Sequence, residues 1–574
     1  MGRPGWNRRR VVSFATAIAL TLSLLAGAGG VTGGQTDDAP ADYTIDSVDA
    51  FDYYNSRGLE DTNDDGRVVV EITSTIDLAQ SRDPVLRYGG DAPLVLRGSG
   101  AVTNTAPPLI RAGSTDDLTI QGLSIRSVPA DEPYAGSVIR VGGDVTFRGV
   151  AVHNTTRLVE TGSDVRIEDS TFAGTGQVVK TDGTVTVTRS TFLNADTDEH
   201  GIVHADGQVR LTDVTVRHAE GRIGGGVHAG SVVGRNVTFV DTNAINSGGA
   251  INAEGDVTLE DSLLRDARGA DSGGAIDAEG IVRIVDSRLE NVDYGDSAII
   301  GEGGVELVGT RINHTGGIGG GYDGTVTVTD LTVTDSNGFG GQRVVIQNAT
   351  VDTTKGMAAS GDRVRVEHST IRDTGGLGGT DTVVVDSTLR NADKIDAGGS
   401  VTVRNSTLVD FGQFTTFNEY WRLRLSNTTI HGASSPLVPA VNNQSISYVN
   451  IIEAEPPVFE ARLPNKTMVF VDTTNDSEPP GEWDADVFWS RDTPFPFVDR
   501  LPASAVQTPT PTSNTTATGT AGESATDTEA SDASGRTDEP ATETDTLVMG
   551  DGPGFGVLSA LLAAAVVVLL GRRD

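Results

Sequence analysis

The chain has 574 residues, of which 79 are Asp or Glu and 43 are Lys or Arg, so its formal net charge is −36 at pH 7. This charge argues against nucleic acid as a partner, and the absence of cysteine excludes disulfides and a lipid-modified N-terminal cysteine. Self-repulsion on this scale is tolerated in concentrated salt, because the screening length falls to roughly 3 Å at about 1 M. The composition therefore predicts adaptation to high salt.

Residues 1–34 have the layout of an export signal peptide. Arg3 and the run from Arg8 to Arg10 precede an apolar stretch, residues 11–26, and small residues around Ala26 and Ala28 offer a cleavage site. The arginines also fit a loose twin-arginine pattern, so both export routes stay open. We expect the export machinery to carry the mature chain out of the cytoplasm.

Residues 43–66 have the pattern of an N-terminal cap. Ile45, Val48, Phe51 and Tyr54 lie three residues apart, which places an apolar face on a short helix. Such a helix can lie across the first coil of the repeats that follow, where it protects an otherwise open strand edge.

Asp61, Asn63 and Asp65 match the start of an EF-hand calcium loop. The match is incomplete, because Glu71 comes one residue early and Ile72 holds the position of the bidentate ligand. A solvated turn before the next strand is the competing interpretation, and the pattern favours it. The three residues are a candidate metal site, and calcium is the one cofactor that the sequence suggests.

Residues 67–455 repeat with a period of about 22 residues. Each period contains a Val-x-Val-like strand, such as residues 257–259, with one short strand before it and another after it. Val, Ile and Thr suit stacked strands, and Gly supplies the turns. The pattern differs from the leucine and asparagine spacing of leucine-rich repeats. We expect an all-β fold, a right-handed parallel β-helix in which each period forms one coil.

Two coils contain the sequence Gly-Gly-Ala-Ile, at residues 248–251 and 273–276. These motifs resemble the GGA-I repeats of polymorphic outer-membrane and autotransporter β-helix proteins. The resemblance covers two coils and implies a shared architecture.

An alignment of the coils predicts two columns of polar side chains on one outward face, because alternate residues of a strand share a face. The first column contains Arg140, Glu160, Lys180, His204, His228, Asn252 and Asp277. The second, two residues later, contains Asp182, Asp206, Glu254, Glu279, Glu302 and Asp323. The candidate ligand-binding residues are His204, His228, Asn252, Asp277, Asp206, Glu254 and Glu279. Ordinary solvated surface is the competing interpretation.

A face with regularly spaced donors and acceptors suits an extended polymer, and its acidic rows suit calcium. β-Helix polysaccharide lyases and hydrolases act on a face of this kind, and paired carboxylates suit glycoside hydrolysis. The sequence departs from the Asn-Thr-Asp, paired Asp and Gly-His-Gly series of polygalacturonases, so an enzyme is the alternative here. His200 and His204 have zinc-like spacing, but the sequence fixes no third ligand.

Asn-x-Ser/Thr sequons divide into two groups. Asn236, Asn348, Asn405 and Asn427 share a repeat position with a series of aspartates, where stacked short side chains can form a ladder. A corner in such a ladder is a poor glycan acceptor. The glycosylation candidates are therefore Asn154, Asn313, Asn443, Asn465, Asn475 and Asn514.

Aromatic residues interrupt the last coils and then mark the end of the repeats. For Phe411, Phe414, Phe417, Tyr420 and Trp421 we expect packing rather than glycan stacking. Residues 456–502 are rich in aromatic residues and Pro, which predicts a C-terminal cap, with a carbohydrate platform as the alternative.

Residues 503–549 consist mostly of Thr, Ser, Ala, Asp, Glu, Gly and Pro, a composition typical of a disordered stalk. In residues 550–574, Pro553, Gly554 and Phe555 open an apolar run that ends at Arg572 and Arg573. The run is shorter than the roughly 20 residues of a stable transmembrane helix. This layout resembles the PGF-CTERM sorting signal of archaeal surface proteins, which implies that a membrane sortase removes the apolar helix and joins the new C-terminus to a lipid.

The sequence thus predicts an envelope-anchored, glycosylated cell-surface protein of a halophilic archaeon, with an adhesive or structural role such as that of an S-layer component. The expected partners are the membrane, a sortase-like enzyme, the export machinery and an extracellular polysaccharide or glycoprotein. The alternative is a surface-tethered polysaccharide lyase or glycoside hydrolase that acts on the outer β-helix face.

Overall fold

The structure, a computed structural model, describes residues 39–105, 108–113, 117–127, 137–352, 356–415 and 422–432, and four short strands between residues 444 and 490. Within these residues the chain forms an all-β parallel solenoid of about 16 turns, as the repeat predicted. Among the helices of the described residues, none combines the length and the apolar character needed to cross a membrane. The expected signal peptide, stalk and sorting signal lie outside the described residues.

Each coil contributes strands to three stacked positions. The Val-x-Val position contains Tyr43–Ile45, Val68–Ile72, Leu94–Arg97, Leu118–Gln121, Val145–Arg148, Val165–Glu168, Val185–Thr188, Val257–Glu260, Ile281–Val285, Gly304–Val308, Thr325–Thr329, Arg343–Gln347, Thr467–Val471 and Asp486–Ser490. The position after it contains Thr75–Asp77, Ala101–Thr105, Ser124–Ser127, Ala151–His153, Thr171–Ala173, Thr191–Asp196, Leu263–Arg265, Arg268–Gly269, Thr332–Ser336, Thr350–Asp352, Thr370–Thr374, Thr388–Ala392, Thr407–Val409 and Thr474–Asn475.

The position before it contains Leu86–Arg87, Ile110–Arg111, Ile139–Arg140, Arg157–Thr161, Gln177–Thr181, Ile251–Ala253, Ile276–Ala278, Phe339–Gly340 and Gln413–Thr415. Longer strands run through two or three positions: Val203–Gly221, Val227–Ala244, Arg288–Gly301, Arg311–Gly319, Met357–Glu367, Gly376–Val385, Lys394–Arg404, Arg422–His431 and Gln444–Ile452. Every strand pairing in the described residues is parallel, for example Val185 with Val209 and Val209 with Val232.

The core lies inside the stacked coils, because the strands alternate buried and exposed residues. Val185 and Val187 are buried while Thr186 between them is half-buried. Larger side chains also stack between coils. The Phe172 and Phe192 rings lie 5.0 Å apart with their planes 11° apart, and both are fully buried.

Two corners of the coil hold non-glycine residues in the left-handed backbone region. The corner after the Val-x-Val strand contains Asp169, Arg189, Asp213, Asn236, Asp261, Asp286, Asp330, Asn348, His368, Asp386, Asn405 and Asn427, all at φ between 46 and 56°. Asp and Asn are among the few L-residues that adopt this conformation readily, because their side chains bond locally. The bonds here join adjacent coils: Asn236 donates to Asp213 at 2.7 Å and Asn405 to Asp386 at 3.0 Å. The predicted ladder is confirmed, and these hydrogen bonds join adjacent coils.

Buried serines follow this corner and satisfy the backbone inside the coil. The Ser387 hydroxyl accepts the Ser369 N–H at 3.1 Å and donates to the Val385 carbonyl at 2.6 Å. Ser190 makes the same pair of bonds, with the Ser170 N–H and the Thr188 carbonyl. A side chain one residue beyond the bend thus replaces a backbone bond that the bend removes.

The N-terminal segment contains a helix, Val48–Arg57, that begins after its N-cap Ser47. Phe51 of this helix is 4% exposed and packs into the core. The expectation that Ile45 belongs to the helix is wrong: Ile45 ends the strand Tyr43–Ile45, which pairs with Val70–Ile72. Three-residue spacing cannot separate a strand end from a first helical turn.

Candidate functional site

The first polar column is continuous in the register of the stacked strands. Lys180 pairs with His204, His204 with His228, His228 with Asn252, and Asn252 with Asp277. The same register extends through Glu160, Arg140 and Arg111 to Arg87 at one end. The next coil ends the column, because Ile300 pairs with Asp277.

Contacts between coils and within the loop before the strand hold the side chains of this column. The His228 Nδ1 atom lies 2.8 Å from the Asn252 Oδ1 atom, and the Ser272 hydroxyl donates to the Asp277 carboxylate at 2.8 Å. All four residues from His204 to Asp277 are half-buried. The column is therefore a structured ledge and not a row of freely moving side chains.

The second column lies at the edge of this ledge. Glu254 and Glu279 are exposed and directly follow the strands that end at Ala253 and Ala278. The Asp206 side chain is also exposed, with a relative accessibility of 68%, and its Oδ1 atom lies 3.6 Å from His204 Nε2. The structure therefore places the predicted acidic residues beside the polar ledge, at the solvent boundary.

Three histidines form a cluster in the middle of the ledge. The ring centres of His200, His204 and His228 lie 4.1, 4.8 and 4.9 Å apart. The sequence analysis paired His200 with His204 by spacing and placed His204 and His228 in one column, but it did not bring all three histidines together. The shared repeat position of His204 and His228 was the available signal, because stacked coils are about 4.8 Å apart.

Burial lowers the pKa of the His204 imidazole to about 4, and the neighbouring His200 and His228 rings add to this shift. Burial also lowers the pKa of His200, with His228 as the next contribution. The Nδ1 atoms of both rings are buried and have no hydrogen-bond partner. Two imidazoles, each with a buried and unpaired Nδ1 atom, thus lie side by side.

A cavity of about 300 Å³ borders the cluster on one side. His200 lies on its wall, together with Arg157 and Gln177 of the preceding coils. Asp196, Asp198 and Glu199 supply carboxylates to the same wall. The surface beside this part of the ledge is therefore concave and bears both charge signs.

Other candidate sites have simpler surroundings. The Asp61 carboxylate accepts hydrogen bonds from the backbone N–H groups of Asn63, Asp65 and Gly66, which is the geometry of a self-bonded turn before the strand Val68–Ile72. In the described part of the chain, the only group of three or more His, Asp or Glu residues close enough to share a metal ion is His200, His204 and His228. A calcium role for Asp61, Asn63 and Asp65 stays a prediction.

The glycosylation candidates divide between described and undescribed residues. Asn154 and Asn313 are exposed. Asn154 occupies the second left-handed corner, with φ 54°, and is stacked beneath Gly174. The other four, Asn443, Asn465, Asn475 and Asn514, have side chains outside the described residues, as do Pro553, Gly554 and Phe555.

The structure describes two of the five aromatic residues that interrupt the last coils. Phe411 and Phe414 are fully buried, with their ring centres 4.9 Å apart. Their packing role is confirmed, while Phe417, Tyr420 and Trp421 lie outside the described residues.

No protein-family model matches the chain, and a comparison with curated proteins gives no match. Among solved structures, the chain is similar to the PL6 family alginate lyase AlyGC, at 7% identity and a TM-score of 0.25, over 81% of this chain and 98% of the lyase. A point mutant of that lyase matches at 10% identity and a TM-score of 0.17, over 81% and 99% of the two chains. A PL6 alginate lyase in complex with a trisaccharide matches at 10% identity and a TM-score of 0.14, over 78% of this chain and 86% of the lyase. Scores this low carry no argument about function.

Proposed function

We propose that this protein is exported by a halophilic archaeon, tethered to its envelope, and displays a right-handed, glycosylated β-solenoid whose polar ledge binds extended polysaccharide. Its role is adhesive or structural, without turnover of the glycan. The acidic, cysteine-free composition, the export pattern at residues 1–34 and the tail at residues 550–574 support the location.

The observation that carries the binding proposal is the unbroken polar register from Arg111 to Asp277. Parallel strands repeat every 4.7–4.9 Å or so, so these donors and acceptors are regularly spaced along the solenoid axis. Several of these side chains are held by a neighbouring residue of the ledge. For example, side-chain atoms of Arg140 and Glu160 lie 3.4 Å apart. A chain of repeating sugars can meet such groups one after another, with little ordering cost on the protein side.

Retention of the full chain on immobilised polygalacturonate in molar salt tests this proposal, with neutral dextran as the reference polymer. The variant with His228, Glu254 and Asp277 changed to Ala should lose retention and keep its circular dichroism spectrum. The matched control changes Thr258, Arg283 and Glu306, outward residues of the neighbouring strand position, and should be retained like the parent. Equal retention of all three proteins would show that the ledge is ordinary solvated surface.

A polysaccharide lyase or glycoside hydrolase is the second candidate, and the cavity beside His200 favours it. Carboxylates and Arg157 on one concave wall are the side chains that acid–base cleavage of a sugar chain uses. Release of reducing ends or unsaturated products from polygalacturonate or another acidic glycan by the purified chain would establish this activity. Retention without product would support the binder.

The anchoring proposal has its own test. Replacement of Pro553, Gly554 and Phe555 should leave the unprocessed tail on the membrane-bound protein, because a sortase recognises the motif rather than the apolar run. Mass spectrometry of the mature chain measures this. Arg572 to Asp574 on the native protein would contradict the sorting proposal.

A further inference from the structure

We propose that His200, His204 and His228 form a binding site for one divalent transition-metal ion of the zinc type. The site lies on two adjacent coils and on the segment that leads into the first of them. The site shares His204 and His228 with the polar ledge, but its test does not use a glycan.

The backbone fixes the positions of all three histidines. His204 and His228 are register partners in the long strands Val203–Gly221 and Val227–Ala244. His200 forms a parallel bridge with Ile223, and the Ile223 N–H donates to the Glu199 carbonyl at 3.1 Å. Rigid backbone at each ligand is what a precise metal site requires.

Close packing of glycines holds the segment that carries His200. A Cβ atom on Gly201 would lie 2.0 Å from the Gly224 carbonyl oxygen, and one on Gly225 would lie 2.4 Å from the Gly249 carbonyl oxygen. Backbone approach this close needs glycine, and it stacks the segments before His204 and His228 directly on one another.

The ligand atoms are already near the spacing of a metal centre. One ring nitrogen from each histidine lies within 4.8 Å of the other two. Tetrahedral zinc with bonds of about 2.0–2.1 Å to nitrogen needs nitrogens roughly 3.3 Å apart. Metal binding therefore requires the half-buried rings to rotate, and the terminal χ2 torsion of histidine is broad enough to allow rotation.

Unpaired ring nitrogens indicate that the cluster lacks a partner. The buried Nδ1 atoms of His200 and His204 have no hydrogen-bond partner, although buried polar atoms are normally satisfied. His218, on a corner of the same coil as His204, differs in this respect, because its Nδ1 atom lies 2.7 Å from an Asp241 carboxylate oxygen. A bound metal ion would satisfy the nitrogens that the protein leaves unpaired.

Asn252 prepares the third ligand. Its amide oxygen lies 2.8 Å from His228 Nδ1, so the tautomer that donates this hydrogen bond carries its proton on Nδ1 and presents the Nε2 lone pair to a metal. Second-shell bonds of this kind orient the ring of a metal-bound histidine. The donor set of three imidazoles selects zinc, cobalt, nickel or copper over calcium and magnesium, which prefer oxygen.

Cobalt(II) is the probe, added to the full chain in molar sodium chloride with excess calcium to occupy surface carboxylates. We expect one equivalent to bind and to produce the strong visible absorption of a four- or five-coordinate ion, and zinc to displace it. His204→Ala should abolish the signal, and Asn252→Ala should weaken binding by about 10- to 100-fold. His218→Ala, the matched control, should bind like the parent.

X-ray absorption of the zinc-loaded parent protein provides a readout without any variant, and should show three imidazole ligands at about 2.0–2.1 Å. Absence of stoichiometric binding, or binding that His204→Ala and His218→Ala reduce equally, would overturn the proposal. So would a zinc spectrum dominated by oxygen ligands, which would indicate adventitious binding to the acidic surface.

Discussion

Single residues at the corners decide whether each coil can turn. Asn405 shows why: its φ is 51°, its side chain donates to Asp386, and it accepts from Asn427 at 3.1 Å. The residue therefore combines a backbone conformation that most side chains resist with two hydrogen bonds between coils. The sequence revealed the column, because Asp and Asn recur at one repeat position. It did not reveal the bond direction, which depends on how closely the coils stack.

We predict that Asn405→Ala destabilises the solenoid by about 1–2 kcal/mol, from the left-handed conformation and the lost bonds. Asn405→Gly should cost less, because glycine adopts positive φ without strain. Chemical denaturation in molar salt measures both. Equal losses would show that the side-chain bonds alone matter at this corner.

Ser387 provides a second test at this scale. Ser387→Ala removes the hydroxyl that accepts the buried Ser369 N–H and should cost about 1–3 kcal/mol, since an unsatisfied buried donor loses its solvation. Thr388, the next residue, is half-buried on the outward side, and Thr388→Ala should stay within about 0.5 kcal/mol. A loss confined to the Thr388 variant would contradict the role of the buried serine.

At the scale of elements, the strands and their register follow from the sequence almost directly. Alternation of buried and exposed residues fixes which face each residue occupies, and a constant period fixes which residues stack, so the column from Lys180 to Asp277 was predictable. The helix start at Val48 was not predictable, because the strand that precedes it ends at Ile45 through pairing with residues distant in the sequence. His200 was missed as a neighbour of His228 for the same reason.

The stacked rings of Phe172 and Phe192 join two neighbouring strands, Thr171–Ala173 and Thr191–Asp196. Phe172→Ala leaves a cavity between the Phe147 and Phe192 rings, and we expect the free energy of unfolding to fall by about 3–5 kcal/mol. Each coil contacts only its neighbours, so hydrogen exchange should increase in strands Ala151–His153, Thr171–Ala173 and Thr191–Asp196 and change little beyond residue 325. Uniform exchange along the whole chain would instead indicate a single cooperative unit.

At the scale of the whole molecule, charge and salt decide stability. The net charge is −36, so the acidic side chains repel one another. The screening length that limits this repulsion is roughly 3 Å in about 1 M salt but roughly 30 Å at about 0.01 M. We predict that the melting temperature and the β-sheet circular dichroism fall steeply when salt is removed. Calcium should restore part of the loss by binding to the acidic residues. A melting temperature independent of salt would show that the acidic surface serves another purpose.

The central claim is that the polar ledge from Arg111 to Asp277 is the surface that meets a glycan. Hydrogen exchange of the full chain in molar salt, with and without polygalacturonate, tests it most directly. We predict slower exchange in Ile110–Arg111, Ile139–Arg140, Arg157–Thr161, Gln177–Thr181, Ile251–Ala253, Ile276–Ala278 and the N-terminal parts of Val203–Gly221 and Val227–Ala244. We predict no change in Val257–Glu260 or Ile281–Val285. Protection confined to strands outside the ledge, or none at glycan concentrations that saturate retention, would contradict it.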